Sequence, residues 1–259
     1  MAAILGAVRK DKILSYLRDH SSATVVELSE LCEVSEVTIR QDLNQLAGEG
    51  LLVRTRGGAV LSSRANSEFT FATRAAINAE AKQKIGELAA TFVQSGDSVI
   101  VDSSTTALYV VRALAQRYDL EDVTVITNGM NTALELANRL EINTFVTGGH
   151  LHMNGASLSG SFAWDMVGKI YATVGFFGTR GITVEHGLTE VNMQEAAVKQ
   201  KMLDRCQEII IVADGSKFGQ VALTPFAPVD RAHRIITDET APEHAILRLK
   251  AMGIDVITA

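Results

Sequence analysis

Four short segments gather groups able to hold an anionic, hydroxyl-rich ligand: Asp102-Ser-Ser-Thr-Thr106, Thr127-Asn-Gly129, Thr147-Gly-Gly-His150 and Asp214-Gly-Ser-Lys-Phe218. Each follows a short aliphatic run. In the first, Ser103, Ser104, Thr105 and Thr106 open a helix, where free backbone N–H groups, the helix dipole and several hydroxyls could converge on a phosphate. Asn128, Gly148, Gly149, His150, Asp214 and Lys217 add amide, backbone, imidazole, carboxylate and ammonium groups suited to sugar hydroxyls or phosphate. The same residue types also cap helices and shape turns, and spacing alone does not separate the two uses.

A second chemistry is written near the N-terminus, in Ser35-Glu-Val-Thr-Ile-Arg-Gln-Asp-Leu-Asn-Gln-Leu46. Ile39, Leu43, Leu46 and Ala47 recur at helical spacing, which buries one face and leaves Glu36, Thr38, Arg40, Gln41 and Asn44 elsewhere. Ser35 can cap this helix. Thr24-Val-Val-Glu27 fits a reciprocal capping box that opens a shorter helix, with Leu28, Leu31 and Cys32 pointing inward. Ile13, Leu14 and Leu17 mark a helix before it, and a small hairpin through Arg54, Arg56 and Gly57-Gly58 follows. This order predicts a winged helix-turn-helix over residues 1–60, whose last helix reads the major groove of double-stranded DNA while the wing touches backbone or minor groove. Bulk charge lends no support, since residues 1–64 hold eight Lys/Arg and eight Asp/Glu and the whole chain carries −6. The support is local: Arg40, Arg54 and Arg56 fall on the elements that should face phosphate or base edges.

The elements that must position the ligand-binding segments begin after a small, polar stretch at 61–73, read as a linker. A helix is expected from Arg74 to Val93. From Ser98 onward, aliphatic runs at 99–101, 123–126, 143–146, 174–177, 209–212, 235–236 and 255–257 alternate with helical patterns near 106–116, 130–140, 160–170, 193–205 and 242–252. Such alternation predicts an open, mostly parallel α/β sheet over 74–259, with ligands beyond the carboxyl ends of its strands.

Composition bounds the alternatives. Of 259 residues, 47% are hydrophobic but only 5% aromatic, as expected for parallel strands covered by aliphatic helices. No apolar run is long enough to span a bilayer, and Met1-Ala-Ala-Ile-Leu-Gly leads into charge rather than a cleavage site, so a soluble, cytoplasmic protein is expected. Cys32 and Cys206 fall in different predicted domains and read as buried small side chains. The pair His150 and His152 is a weak ligand pattern, so neither metal nor cofactor is expected. A lone winged helix reads few base pairs, so a homodimer or homotetramer is expected.

Several of these residues carry a resemblance. Thr38-Ile-Arg-x-Asp-Leu43, Leu46, Gly50-Leu-Leu52 and Arg56-Gly-Gly-Ala59 resemble the signature of the DeoR family of bacterial sugar-catabolism repressors, with Gln41 standing where the family usually carries a basic residue. Gly96-Asp97, Asp102-x-x-Thr-Thr106, Thr127-Asn128, Thr147-Gly-Gly149, His186-Gly-Leu-Thr189, Glu195-x-x-x-Lys199 and Asp214-x-Ser-Lys-Phe218 are similar to that family's effector domain, which itself resembles ribose-5-phosphate isomerases. The resemblance implies a repressor of a carbohydrate catabolic operon controlled by a phosphorylated sugar or sugar derivative. It implies that Ser103 to Thr106 hold the phosphate while Asp102, Asn128, Glu195, Lys199 and Lys217 surround the sugar.

A sugar-phosphate isomerase with an appended DNA-binding domain is the alternative. An isomerase needs a carboxylate base beside the substrate. The related isomerases carry an Asp-Gly-Ala-Asp-Glu type segment where this chain reads Gly178-Thr-Arg-Gly-Ile-Thr183, so no catalytic residue is assigned. Family repressors commonly have Asp at the position of Arg180. A guanidinium there could pair with Glu190 or Glu195, or bind an acidic sugar or second phosphate.

Overall fold

The computed structural model describes residues 2–20, 22–48, 51–55, 57–60, 71–153 and 155–259. Arg56 and positions 61–70 of the expected linker lie outside the described residues. The chain divides into two compact units, Met1–Ile77 and Asn78–Ala259.

The first unit runs α1 (Ala2–His20), β1 (Ser22–Thr24), α2 (Val25–Cys32), α3 (Glu36–Gly48), β2 (Val53–Thr55), β3 (Gly58–Val60) and α4 (Phe71–Ala76). Its core is aliphatic: Ile13, Leu14 and Leu17 of α1 meet Leu28 of α2 and Ile39, Leu43 and Leu46 of α3. Helix starts are fixed by side chains. The Glu27 N–H donates to Thr24 Oγ1 at 3.2 Å while Glu27 Oε2 accepts from the Thr24 N–H at 2.7 Å, completing the capping box, and the Thr38 N–H donates to Ser35 Oγ at 3.2 Å. The hairpin β2–β3 is antiparallel, and β3 also pairs with β1, which the sequence did not reveal as a strand. At Gly58 that pairing is so close that a Cβ would lie 2.1 Å from the Ala23 carbonyl oxygen.

The second unit continues with α5 (Ala79–Ala90), β4 (Ser98–Val101), α6 (Thr105–Leu114), β5 (Val123–Thr127), α7 (Met130–Leu136), β6 (Ile142–Val146), β7 (His150–His152), β8 (Ser157–Ser159), α8 (Ser161–Val167) and β9 (Ala172–Phe177). It ends with β10 (Gly181–Thr183), β11 (Gly187–Glu190), α9 (Met193–Leu203), β12 (Cys206–Val212), β13 (Thr224–Ala227), β14 (Arg234–Thr237), α10 (Glu243–Ala251) and β15 (Asp255–Thr258). The main sheet has the order β15-β14-β12-β9-β4-β5-β6, parallel throughout. Successive strand residues point to opposite faces. Ile100, Phe177, Ile209 and Ile211 therefore pack with α8, α9 and α10, whereas Val99, Val101, Phe176 and Ile210 pack with α5, α6 and α7.

All seven aliphatic runs became strands of this sheet. The helix expected from Arg74 to Val93 did not form as one piece. Phe71, Ala72 and Thr73, read as linker, begin α4, and the chain breaks at Ile77-Asn78, where Asn78 takes φ 52° before α5 starts. Two smaller sheets, β10-β11-β13 and β7-β8, decorate the main one. No helix among the described residues is long and apolar enough to cross a membrane.

Candidate functional site

On α3, Ile39, Leu43 and Leu46 are buried while Arg40, Gln41 and Asn44 are exposed and Glu36 and Thr38 half-exposed, as the spacing predicts. Arg40 Nη2 donates to Glu36 Oε2 at 2.6 Å, one helical turn away, and both side chains are about half open to water. Ser35 also exchanges a hydrogen bond with Thr38 Oγ1 at 2.9 Å, so this hydroxyl pair starts the helix. Arg54 stands half-buried on β2, opposite Ala59. Asp42 points inward instead, where Arg9 of α1 grips it bidentately at 2.5 and 3.1 Å. That carboxylate locks α1 to α3 rather than meeting a ligand.

In the main sheet, chain order reverses between β4 and β9, and such a switch point opens a crevice beyond the strand ends. Asp102 sits there. Its Oδ1 accepts from the Ser104 N–H at 2.9 Å and its Oδ2 from the Gly178 N–H at 3.1 Å, tying the loop after β4 to the loop after β9. A Cβ on Gly178 would come within 2.2 Å of Ser104 Oγ, so only glycine permits this approach. Lys199 of α9 reaches the same point, with Nζ 2.9 Å from Asp102 Oδ2, 2.8 Å from Glu190 Oε2 and 2.9 Å from the Gly178 carbonyl oxygen. Arg180 Nε lies 3.4 Å from Glu190 Oε1. Two cations and two anions thus form a buried, neutral cluster.

Burial opposes ionisation of both Lys199 and Glu190, but their partners win. Asp102 and Glu190 hold the Lys199 ammonium well above its ordinary range, and Lys199 with Arg180 holds the Glu190 carboxyl below its own. The ammonium has three donors and three acceptors, so its hydrogen-bonding capacity is filled. Of the two carboxylates weighed for Arg180, Glu190 takes it. Glu195 accepts from Ser157 Oγ at 2.5 Å instead.

The remaining loops line the same strand ends. Ser104 caps α6, its Oγ accepting from the Ala107 N–H at 3.2 Å; Thr105 and Thr106 are buried in the first turn, while Ser103 is half-exposed. Asn128 is buried; its Nδ2 donates to the Leu158 carbonyl at 3.2 Å, and its Oδ1 has no hydrogen-bond partner. Gly148 and Gly149 turn with positive φ into β7, and exposed His150 stacks edge-on against His152 at 4.7 Å. After β12, Asp214 Oδ1 accepts from the Ser216 N–H at 3.1 Å and from Asn78 Nδ2 at 3.0 Å. Burial would push the Asp214 carboxyl up, but Lys217, Ser216, Lys82 and Asn78 together hold it low.

Asn78 and Lys82 are the members that sequence reading missed. Asn78 is placed by its left-handed backbone, and Lys82 looks like any solvent-facing helix lysine until its depth is known. Among the described residues no group of three or more His, Cys, Asp or Glu could hold a metal ion.

The chain matches two family descriptions, the DeoR-like helix-turn-helix domain over residues 9–65 and the DeoR C terminal sensor domain over residues 77–239. It is 37% identical to the uncharacterized HTH-type transcriptional regulator YulB of Bacillus subtilis (strain 168) over 98% of this chain and 96% of that one. It is 32% identical to the HTH-type transcriptional repressor GlcR of the same organism, over 95% of this chain and 93% of that one. Among solved structures, ribose 5-phosphate isomerase A from Methanocaldococcus jannaschii aligns over 54% of this chain and 55% of that one, with 16% identity and a TM-score of 0.41, too low a likeness to bear on function.

Proposed function

Because this chain belongs to the DeoR family, we propose that it is a DNA-binding repressor of a carbohydrate catabolic operon whose sensor unit binds a phosphorylated sugar or sugar derivative. Ser35, Glu36, Thr38, Arg40, Gln41 and Asn44 on α3 and its cap, with Arg54 and Arg56 of the wing, are the groups assigned to operator DNA. In the sensor unit the observation that carries the reading is the division of labour at the switch point. Lys199, with every donor used, stands behind the site with Asp102, Glu190 and Arg180 as its frame. We assign Ser103, Asn128, Gly148, Gly149, His150, Asp214 and Lys217 to the ligand, and the Asn128 Oδ1, buried without a hydrogen-bond partner, is ready for a sugar hydroxyl.

The same frame argues against an isomerase. A general base needs a proton affinity near the working pH and a lone pair free to act. Glu190 is held low and its oxygens already accept from Lys199 and the Val191 N–H, and Asp102 is spent on Ser104, Gly178 and Lys199. The chain is accordingly assigned a regulatory, non-enzymatic role, with operator DNA and further copies of itself as partners and the cytoplasm as its compartment. Its ligand couples to DNA by favouring one arrangement of the two units, with a typical coupling of about 1–3 kcal/mol.

A thermal-shift screen of phosphorylated sugars, sugar alcohols and sugar acids, each beside its unphosphorylated form, tests the sensor. A ligand at 100 times its Kd should stabilise by about 2.7 kcal/mol. A response confined to phosphorylated compounds, lost in Lys217→Ala while operator affinity by fluorescence anisotropy stays intact, supports the reading. No shift with any compound removes the sugar-phosphate sensor, and sustained turnover of ribose 5-phosphate overturns the non-enzymatic assignment.

A further inference from the structure

Four residues of α3 recur at helical spacing on the side turned away from the core: Val37, Gln41, Asn44 and Gly48, at i, i+4, i+7 and i+11. All four are exposed, and Val37, although aliphatic, keeps 63% of its surface open. Ile39, Leu43 and Leu46 bury the opposite side. The charged and hydroxyl groups of the first two turns lie off this row and are engaged with partners. Glu36 and Arg40 pair along one flank, Ser35 and Thr38 bond to each other on the other, and Asp42 is drawn inward by Arg9. The middle of the face therefore presents one branched hydrocarbon and two carboxamides, with no charge. What singles Val37 out is its place, one turn before Gln41 on the same row.

That combination suits one kind of base pair. In the major groove adenine sets its N7 acceptor beside its N6 amino donor, and a carboxamide, with one acceptor and two donors, meets both at once. Guanine sets two acceptors side by side, N7 and O6, which suit a guanidinium but leave a carboxamide oxygen without a donor. Thymine adds a C5 methyl group, which a valine can cover, whereas cytosine offers nothing apolar at that place. Val37 and Gln41 stand about 6 Å apart along the helix axis, the rise of about two stacked base pairs at about 3.4 Å each. Residues near the start of a recognition helix are the ones that reach base edges.

We propose that this row selects A·T pairs: Gln41 takes an adenine through its carboxamide, and Val37 packs on the methyl group of a thymine within about two base pairs of it. The inference rests on the assignment of α3 to operator DNA and adds which bases the helix selects. Arg40, held to the side with Glu36, falls to the phosphate backbone, which fixes position and carries no sequence.

The test uses the full-length protein to select duplexes from a pool of random sequence, with fluorescence anisotropy on the best of them. The wild type should enrich a site holding an adenine and a thymine no more than about two base pairs apart. Gln41→Arg should convert that adenine to guanine and leave the other positions as they were. Each thymine of the site is then replaced in turn by deoxyuridine, which removes only the methyl group. At one position this should weaken wild-type binding about three- to fivefold, while Val37→Ala should bind both duplexes alike. Both side chains are exposed, so the variants keep the fold. A pool that yields no preferred sequence overturns the operator-binding reading and this inference with it. A preferred sequence in which Gln41→Arg retains the adenine, or in which no deoxyuridine separates Val37→Ala from the wild type, overturns the inference alone.

Discussion

Arg40 and Glu36 pair at 2.6 Å on a helix face open to water, whereas Lys199 meets Asp102 and Glu190 at 2.9 and 2.8 Å with all three sealed from it. The distances are alike but the energetics are not. An exposed pair gains little because water solvates either partner alone, and such pairs contribute about 0–1 kcal/mol. A buried cluster has already lost its hydration, so each member depends on the others, and removing one strands the rest. The helix-turn-helix unit can therefore vary the exposed face of α3, the proposed reading face, without touching its fold, while the sensor unit cannot change its central charges one at a time.

The largest expected effect comes from Lys199→Met, which leaves Asp102 and Glu190 buried with only Arg180 for compensation. A loss of about 3–5 kcal/mol in urea unfolding is expected. A loss below about 1 kcal/mol together with abolished ligand response would break the comparison, by making Lys199 a ligand contact. Its pH dependence sharpens the point. In the wild type, the raised Lys199 contributes fully below its unfolded pKa near 10.4 and fades as pH rises through its folded value. The lowered Glu190 contributes fully above its unfolded pKa near 4.3 and fades as pH falls through its folded value. Between about pH 5 and 10 the cluster's contribution is level. In Lys199→Met the Glu190 carboxylate, stripped of its nearest cation, should take up protons on folding, so the deficit should shrink as pH falls from 8 to 5.

Asp42→Ala should fall between the extremes, because the Arg9–Asp42 pair is shielded on one side only. About 1–3 kcal/mol of stability is expected to go, with Arg9 free to turn outward. Operator affinity should drop only as far as the unfolded fraction requires, and a larger drop in anisotropy titrations would make Asp42 part of the reading face. Arg40→Ala should be the mildest for the fold, below about 0.5 kcal/mol, while weakening operator binding by about 1–3 kcal/mol. Unchanged operator binding would mean that α3 is not the reading helix.

Much of this could be read before any coordinates. Short aliphatic runs located the seven main strands, and Thr24 with Glu27 three residues on located the capping box, because both are local signals. The small strands β1, β7, β8, β10, β11 and β13 escaped, being three or four residues long with no long aliphatic run to mark them. In the candidate site the loops at Asp102, Thr127, Thr147 and Asp214 were legible from residue type. The Arg180–Glu190 pair was one of the alternatives that residue type offered, but the enclosure of Lys199 between Asp102 and Glu190 was not legible, since it depends on three elements meeting at one buried point. The left-handed turn at Asn78 that splits the expected helix was equally silent, as nothing in Ala76-Ile-Asn-Ala79 demands it.

The Glu36–Arg40 pair has a consequence for how DNA binding responds to salt. A free arginine that docks on a phosphate releases a condensed counterion from the duplex, adding about 0.9 to the slope of log affinity against log salt concentration. If Arg40 meets a phosphate as proposed, it arrives already paired with Glu36, so it exchanges one anion for another and adds less. Glu36→Gln should therefore tighten binding at low salt and steepen that slope. On the proposed reading, a carboxylate held one turn from its arginine would moderate the grip of non-specific DNA on the helix.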